Sequence, residues 1–183
     1  MPQRPVTQAP DWTTAIVVMG VSGVGKSTVA ARLAERLQWP LVEGDSLHPL
    51  ANIEKMSRGI PLNDDDRLPW LKAIAARIEA ARQAHRPIVV TCSALKRSYR
   101  NILADGHADV GFVYLQGAKE LIAQRLAART NHFMPPGLLD SQFAALQEPG
   151  ADEPAIAIPV DAAPDAIVST IVDRLATPTR AQY

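Results

Sequence analysis

Residues 20–27 read Gly-Val-Ser-Gly-Val-Gly-Lys-Ser and fit the pattern G-x-x-x-x-G-K-[ST]. An apolar run, residues 15–19, precedes this stretch, and Val29, Leu33 and Leu37 follow it at helical spacing. The stretch therefore lies between a strand and a helix, where glycines let the backbone wrap around phosphate oxygens. A purely structural turn needs neither three glycines nor Lys-Ser behind the last one. We predict a nucleotide-binding phosphate loop.

The side chains and backbone N–H groups of this loop are the predicted ATP contacts. Lys26 would reach the β- and γ-phosphates, and the hydroxyl of Ser27 would bind Mg²⁺. The predicted nucleotide-binding residues of the loop are Gly20, Val21, Ser22, Gly23, Val24, Gly25, Lys26, Ser27 and Thr28.

Further apolar runs alternate with helical patterns along the chain. The runs cover residues 40–42, 87–91, 110–115 and 156–160. Because they are continuously apolar, they indicate a parallel sheet that is covered on both faces. We therefore predict an α/β, P-loop NTPase-type three-layer fold with a five-stranded parallel sheet, helices on both faces and a lid segment. Ligands of such sheets bind beyond the carboxyl ends of the strands.

The chain length of 183 residues and the 47% hydrophobic content fit one domain with its own core. The proline-containing residues 1–13 are expected to form a flexible lead-in, and residues 177–183 a tail. The single domain is expected to span residues 14–176, with the lid at about residues 129–139.

Charge and cysteine usage exclude several classes of protein. Nineteen Lys and Arg balance nineteen Asp and Glu, whereas a nucleic-acid-binding protein usually carries a basic excess. The single cysteine, Cys92, cannot form an internal disulfide, and the N-terminus lacks the apolar region of a secretory signal. No apolar run approaches the ~20 residues of a membrane-spanning helix. We therefore expect a cytoplasmic protein that binds neither nucleic acid nor membrane.

The acidic residues favour small-molecule kinases among nucleotide-binding proteins. The guanine-binding string N-K-x-D is absent, and the third predicted strand ends in Thr91-Cys92-Ser93 without a carboxylate. Glu43 and Asp45 instead follow the second strand, beside the expected position of the γ-phosphate.

Several strings in the middle of the chain are more specific than the phosphate loop. They are residues 44–49 (Gly-Asp-Ser-Leu-His-Pro), 52–56 (Asn-Ile-Glu-Lys-Met), 59–67 (Gly-Ile-Pro-Leu-Asn-Asp-Asp-Asp-Arg), 69–71 (Pro-Trp-Leu), 92–100 (Cys-Ser-Ala-Leu-Lys-Arg-Ser-Tyr-Arg), 132–135 (His-Phe-Met-Pro) and 141–143 (Ser-Gln-Phe). From about residue 15 to 149, the chain closely resembles the gluconokinases of the P-loop, shikimate-kinase-like group. This resemblance implies ATP-dependent phosphorylation of D-gluconate to 6-phosphogluconate, Mg²⁺ dependence, a mobile lid and, commonly, a homodimer.

Two other functions remain open at this point. One is another small-acid kinase such as a shikimate kinase, although the His-Pro and Asn-Ile-Glu-Lys-Met strings favour gluconate. The other is a nucleotide-binding module without turnover, which the intact Lys26, Ser27 and Asp45 disfavour.

Candidate residues on the acceptor side follow the second strand. Asp45 is the candidate for accepting the proton or hydrogen bond of the attacking hydroxyl, with a helix N-cap as the alternative. His48 would be a neutral partner of the polyol or would pack against Pro49. Arg67 could bind the carboxylate of the sugar acid, with Asp66 holding it in place. Glu43 would join Ser27 at the metal, although related kinases often have Asp-x-Asp where this chain has Glu43-Gly44-Asp45.

Two basic clusters complete the candidate site. Lys96 and Arg100, four residues apart, are predicted to share a helical face after the third strand, with Arg97 adjacent. All three would contact substrate carboxylate or phosphate, the alternative being a solvated surface. Arg125 and Arg129 precede the expected lid, and in the resembling kinases such arginines close over the nucleotide. His132, within the lid, is a candidate substrate contact that could instead pack against Phe133.

Overall fold

The computed structural model of the protein describes residues 11–129 and 136–176. Its strands form one parallel five-stranded sheet in the order β2-β3-β1-β4-β5, which confirms the predicted sheet. The strands are β1 (Ala15–Met19), β2 (Leu41–Glu43), β3 (Ile88–Thr91), β4 (Val110–Gln116) and β5 (Ala155–Pro159).

Helices connect the strands, as the sequence pattern predicts. They are α1 (Lys26–Leu37), α2 (Leu50–Ser57), α3 (Asp64–Ala84), α4 (Arg97–Ala104), α5 (Lys119–Ala127), α6 (Pro136–Ala145) and α7 (Pro164–Ala176), with a short 3₁₀ helix at Gly44–Leu47. None of the helices in the described ranges is long and apolar enough to cross a membrane.

The hydrophobic core lies on both faces of the sheet. Ile16 and Val18 of β1 belong to the cluster that α1 and α7 cover, whereas Val17 and Met19 belong to the cluster that α3 and α4 cover. Successive side chains of a strand point to opposite faces, so a strand covered on both sides is apolar throughout. This arrangement holds the strands in place and leaves their carboxyl ends free for a site.

The N-terminus of α3 is fixed by a capping box. The Asn63 side chain accepts a hydrogen bond from the Asp66 backbone N–H, and the Asp66 carboxylate accepts one from the Asn63 N–H. This reciprocal pair satisfies two backbone donors that a helix start otherwise leaves without partners. It also orients Asp66 and Arg67 at the edge of the sheet where the strands end.

Packing against the sheet begins before position 14. Trp12 is buried, and its indole lies where a Cβ at Gly111 of β4 would be, with the nearest ring atom only 1.7 Å from that position. A side chain larger than hydrogen at position 111 would therefore displace Trp12. Of the predicted lead-in, residues 1–10 lie outside the described part of the chain, as do residues 177–183 of the predicted tail.

Candidate active site

A cavity of about 390 Å³ opens at the carboxyl edge of the sheet. It brings together residues of the phosphate loop and residues that the sequence placed on the acceptor side. The predicted site residues that line it are Ser22, Gly23, Gly25, Lys26, Ser27, Thr28, Asp45, His48, Arg67 and Arg129. Charge of both signs therefore meets in one cleft.

The phosphate loop adopts the backbone that its glycines permit. Gly25 caps α1 at a φ of 103°, in the left-handed region that favours glycine. The Lys26 ammonium donates hydrogen bonds to the carbonyl oxygens of Gly20 and Val21, at 3.1 and 3.0 Å. Burial lowers the pKa of Lys26, while the nearby Asp45 and Glu43 carboxylates oppose that shift. The Val21 and Val24 side chains pack in the core, so these predicted contacts can offer ATP only backbone groups.

The end of β2 places a carboxylate beside the loop. One Glu43 carboxylate oxygen accepts hydrogen bonds from the hydroxyls of Thr91, at 2.6 Å, and Ser27, at 3.2 Å. Gly44 follows, and a Cβ there would lie 2.0 Å from the Thr91 carbonyl oxygen. Glycine at position 44 thus lets the chain pass close to β3 before it turns to Asp45.

The Asp45 carboxylate faces the cavity and is 81% exposed. The His48 Nε2 atom lies 4.0 Å from Asp45 Oδ1. The short 3₁₀ helix has Glu43 at its N-cap and no side-chain cap bond, so the N-cap alternative for Asp45 is not observed. The Asp45 carboxylate is free to meet a ligand.

Arg67 lies at the junction of this cavity with a second one of about 500 Å³. The guanidinium donates from Nε to the Leu62 carbonyl oxygen and lies 5.6 Å from the centre of the Tyr99 ring. Asp66 does not hold it, contrary to the prediction, because the Asp66 carboxylate binds the Lys55 ammonium at 2.7 and 2.8 Å.

The second cavity contains Lys96, Asp64 and Tyr99. The Lys96 ammonium binds both Asp64 carboxylate oxygens, at 2.8 and 3.1 Å, and the Tyr99 hydroxyl donates to the same carboxylate. These hydrogen bonds lower the pKa of Asp64. Lys96 lies just before α4 rather than inside it, so it does not share a helical face with Arg100 as predicted. It nevertheless lies in the same cavity as Arg67.

The structure corrects the prediction for Arg100. Its guanidinium is almost completely buried and binds the Glu153 carboxylate at 2.5 and 2.8 Å, along with the carbonyl oxygens of Ala94 and Gln147. It links α4 to the segment before β5 and cannot reach a ligand. The Arg100 guanidinium therefore has a structural role.

Arg97 and Arg125 are also not brought into the cavity. Arg97 forms an exposed ion pair with Asp152, and Arg125 donates to the Val160 carbonyl oxygen at 2.5 Å. Arg129 does line the cavity, whereas His132 and residues 130–135 of the expected lid lie outside the described residues. Residues 136–139 of that predicted lid belong to α6.

Arg100→Ala is expected to lower the free energy of unfolding by about 3–5 kcal/mol, because it leaves the buried Glu153 carboxylate without its partner. Arg97→Ala is the matched control, since an exposed ion pair contributes at most about 1 kcal/mol. Urea unfolding of both variants checks this. Equal stability losses in the two variants would contradict the structural role of Arg100.

The structure adds two residues to the cavity lining that the sequence does not indicate as ligand contacts. Gln142 of α6 accepts a hydrogen bond from the Ser22 backbone N–H at 2.7 Å and donates to the Ser22 hydroxyl at 2.9 Å. Trp70 is a buried packing residue, as expected, but it also lines the cavity and stacks on His48 at 4.1 Å. The string Ser-Gln-Phe at residues 141–143 was the available indication for Gln142.

Comparison with known proteins identifies the family. A family model described as an AAA domain matches residues 16–149. The gluconokinase of Gluconobacter oxydans (strain 621H) is 48% identical over 157 residues, which cover 86% of this chain and 88% of that protein. The thermoresistant gluconokinase of Escherichia coli (strain K12) is 44% identical over 158 residues, covering 86% and 90%. The crystal structure of a gluconokinase from Sinorhizobium meliloti 1021 matches with a TM-score of 0.83 at 47% identity, covering 90% and 93%. With its phosphate loop and acceptor cleft at the edge of a parallel sheet, the chain belongs to the gluconokinase family.

Proposed function

We propose that this protein transfers the γ-phosphoryl group of ATP to the C6 hydroxyl of D-gluconate, giving ADP and 6-phosphogluconate. The hydroxyl oxygen forms a bond to the γ-phosphorus as the bond from that phosphorus to the β,γ-bridging oxygen breaks. The hydroxyl proton passes to the Asp45 carboxylate. The bridging oxygen leaves with ADP, so atoms and charge balance.

The cavity at the carboxyl edge of the sheet carries this proposal. Lys26 and other residues of the phosphate loop line the same cavity as Asp45, His48 and Arg67. Positioning and electrostatic stabilisation are the main requirements of phosphoryl transfer. The cleft supplies a cation for the transferred group, a carboxylate for the hydroxyl, and a guanidinium for the carboxylate of the sugar acid. Arg129, which precedes the predicted lid and lines the cavity, would add positive charge beside the nucleotide phosphates.

The residues at the end of β2 fit a magnesium ion. Within residues 11–129 and 136–176, no group of three acidic, histidine or cysteine side chains could hold a metal alone. Mg²⁺ usually takes one or two protein oxygens and completes its shell with water and substrate phosphates. The Ser27 hydroxyl and the Glu43 carboxylate, already in contact with each other, would hold it. When bound, Mg²⁺ would offset negative charge on the β- and γ-phosphates.

An assay of ADP release with gluconate, shikimate, glucose or no acceptor tests the function. We expect release that depends on gluconate and on Mg²⁺. Preference for shikimate would contradict the substrate assignment. Release that is independent of any acceptor would contradict the kinase assignment, and no release with retained ATP binding would favour the non-catalytic nucleotide-binding module.

Lys96→Ala is expected to raise the KM for gluconate about tenfold, since a charge-assisted hydrogen bond to the substrate carboxylate contributes about 1.5–3 kcal/mol. The KM for ATP should stay within a factor of about two. Lys119→Ala is the matched control, because Lys119 also pairs with a surface aspartate, Asp140, but outside both cavities. An unchanged KM for gluconate in Lys96→Ala would remove Lys96 from the binding site.

We also propose a homodimer in the cytoplasm. The resemblance to kinases that are commonly homodimers supports the dimer, as do large exposed apolar side chains at Leu50, Ile53, Ile60 and Leu68. Buried Cys92 is a free thiol, which fits a reducing compartment. Light scattering of the purified protein measures the oligomeric state, and a monomer at assay concentrations would contradict the dimer.

A further inference from the structure

The His48 ring is held in one plane at the wall of the cavity. It stacks on the Trp70 indole with ring centres 4.1 Å apart and an angle of 14° between the planes. Trp70 is itself fixed, because its Nε1–H donates to the Gly44 carbonyl oxygen at 2.8 Å. Only 5% of the His48 side chain is exposed. The ring nitrogens of His48 are therefore limited to the partners found in this plane.

Asn52 is the partner of one ring nitrogen, and its amide orientation is determined by a third group. The amide nitrogen of Asn52 lies 2.8 Å from the Asp66 carbonyl oxygen and 3.3 Å from His48 Nδ1. A carbonyl oxygen can only accept, so the Asn52 NH₂ group must face Asp66. Rotating the amide by half a turn would place two acceptors 2.8 Å apart. The Asn52 NH₂ group consequently also faces His48 Nδ1.

This geometry selects one protonation state of the His48 ring. An NH₂ group only donates, so Nδ1 must accept, and the proton of the neutral ring is on Nε2. Nε2 is the nitrogen that lies 4.0 Å from Asp45 in the cavity. Protonation of Nδ1 would put two donors face to face. Burial also lowers the pKa of His48, and nearby Arg67 acts in the same direction while Asp45 opposes it.

We propose that Asn52, through the Asp66 carbonyl oxygen, is a positioning residue that fixes His48 as the neutral tautomer with its proton on Nε2. His48 then presents a hydrogen-bond donor, and no positive charge, to the hydroxyl oxygens of the acceptor beside Asp45. The role in the reaction rests on the proposed function, whereas the tautomer is a property of the protein without substrate. Asn52 is only 3% exposed and does not itself line the cavity.

Long-range ¹H–¹⁵N correlation NMR of the full chain without ligands tests the tautomer. The chain has four histidines, and the spectrum of His48→Gln assigns the signals of His48. We expect an unprotonated Nδ1 and a protonated Nε2 across neutral pH. A proton on Nδ1 in the wild-type protein would overturn the proposal. This measurement needs no variant of Asn52, so it decides even if such a variant fails to fold.

Asn52→Asp tests the positioning role, because a carboxylate of the same shape accepts a hydrogen bond from Nδ1–H, whereas the amide donates one to Nδ1. We expect the His48 pKa to rise by about one unit or more, that is, about a tenfold gain in proton affinity. kcat/KM for gluconate at pH 7 should fall about tenfold and should not recover at higher pH, because the neutral ring then keeps its proton on Nδ1 and has no donor at Nε2, with the KM for ATP unchanged within a factor of about two. Asn52→Leu, which neither donates nor accepts, should shift the pH profile less than Asn52→Asp.

Asn63→Asp is the matched control. It makes the same chemical change on the other side of Asp66, where the side chain only accepts a hydrogen bond and does not touch His48. The His48 signals should stay as in the wild type. Wild-type His48 titration and pH profile in Asn52→Asp would overturn the positioning role. Failure of the wild-type protein to phosphorylate gluconate would overturn the proposed function. It would not affect the tautomer of His48 that the NMR experiment measures.

Discussion

Lys26→Ala is expected to lower kcat for gluconate phosphorylation by about 10³-fold or more, the upper range for removal of one preorganised donor at a developing negative charge. The Lys26 ammonium now binds the Gly20 and Val21 carbonyl oxygens, so it is already held within the loop. Transfer of the γ-phosphoryl group spreads charge over its oxygens, and a cation fixed beside them stabilises that state without reorganising. Alanine supplies neither the charge nor the hydrogen bonds.

Coupled measurement of ADP release gives kcat, and isothermal titration gives ATP affinity, which should also weaken. Urea unfolding is the control for loop integrity, because Lys26 also bonds to the loop backbone. Lys72→Ala, an exposed lysine of α3, should behave like the wild type. A kcat for Lys26→Ala within tenfold of the wild-type value, in a folded protein, would contradict the assignment of Lys26.

Asp45→Asn is expected to lower kcat by about 10²–10⁴-fold, the usual contribution of a positioned acid or base. The amide keeps the size of the carboxylate but cannot take the proton of the C6 hydroxyl. ATP affinity should be retained, because Asp45 lies on the acceptor side of the cavity. Stability should also be retained, because the side chain is 81% exposed and caps no helix.

Coupled ADP release and isothermal titration also test this variant. ATP affinity separates it from Lys26→Ala, because affinity should be retained in Asp45→Asn and weakened in Lys26→Ala. Asp105→Asn is the matched control, since it removes an exposed carboxylate at the end of α4 where Asn is equally suited to the positive φ of 47°. Near-normal kcat in Asp45→Asn would show that another group or solvent accepts the proton.

The elements that sequence could predict are those set by local pattern. The apolar run before Gly20 and the helical spacing after Ser27 determine the strand, loop and helix together. The same holds for Asp45 and His48, because they follow a strand end and the carboxyl ends of parallel strands meet at one edge.

The errors concern long side chains whose partners are distant in sequence. In the sequence, Arg100 lies four residues after Lys96 and carries the same charge, so substrate contact is predicted for both. Its position was decided by Glu153, which is 53 residues away and lies on a segment with no distinctive pattern. Adjacency in the sequence predicts that Asp66 holds Arg67, yet the Lys55 ammonium from α2 binds the Asp66 carboxylate instead. Charge alone does not indicate a partner, because long side chains can reach several elements.

Two contacts could not be predicted from the sequence, because they depend on how separate elements pack together. The stack of His48 on Trp70 requires the 3₁₀ helix to lie against α3, and the bond from Asn52 to the Asp66 carbonyl requires α2 to lie beside the start of α3. Both pairs join residues more than a dozen positions apart. Spacing along one element could not predict them.

The hydrogen bonds between Gln142 and Ser22 have a consequence for the order of events at the nucleotide site. The Oε1 atom of Gln142 holds the Ser22 backbone N–H that a phosphate oxygen would use. Any phosphate that binds this N–H must first displace the Gln142 side chain, so nucleotide binding breaks this contact between α6 and the phosphate loop.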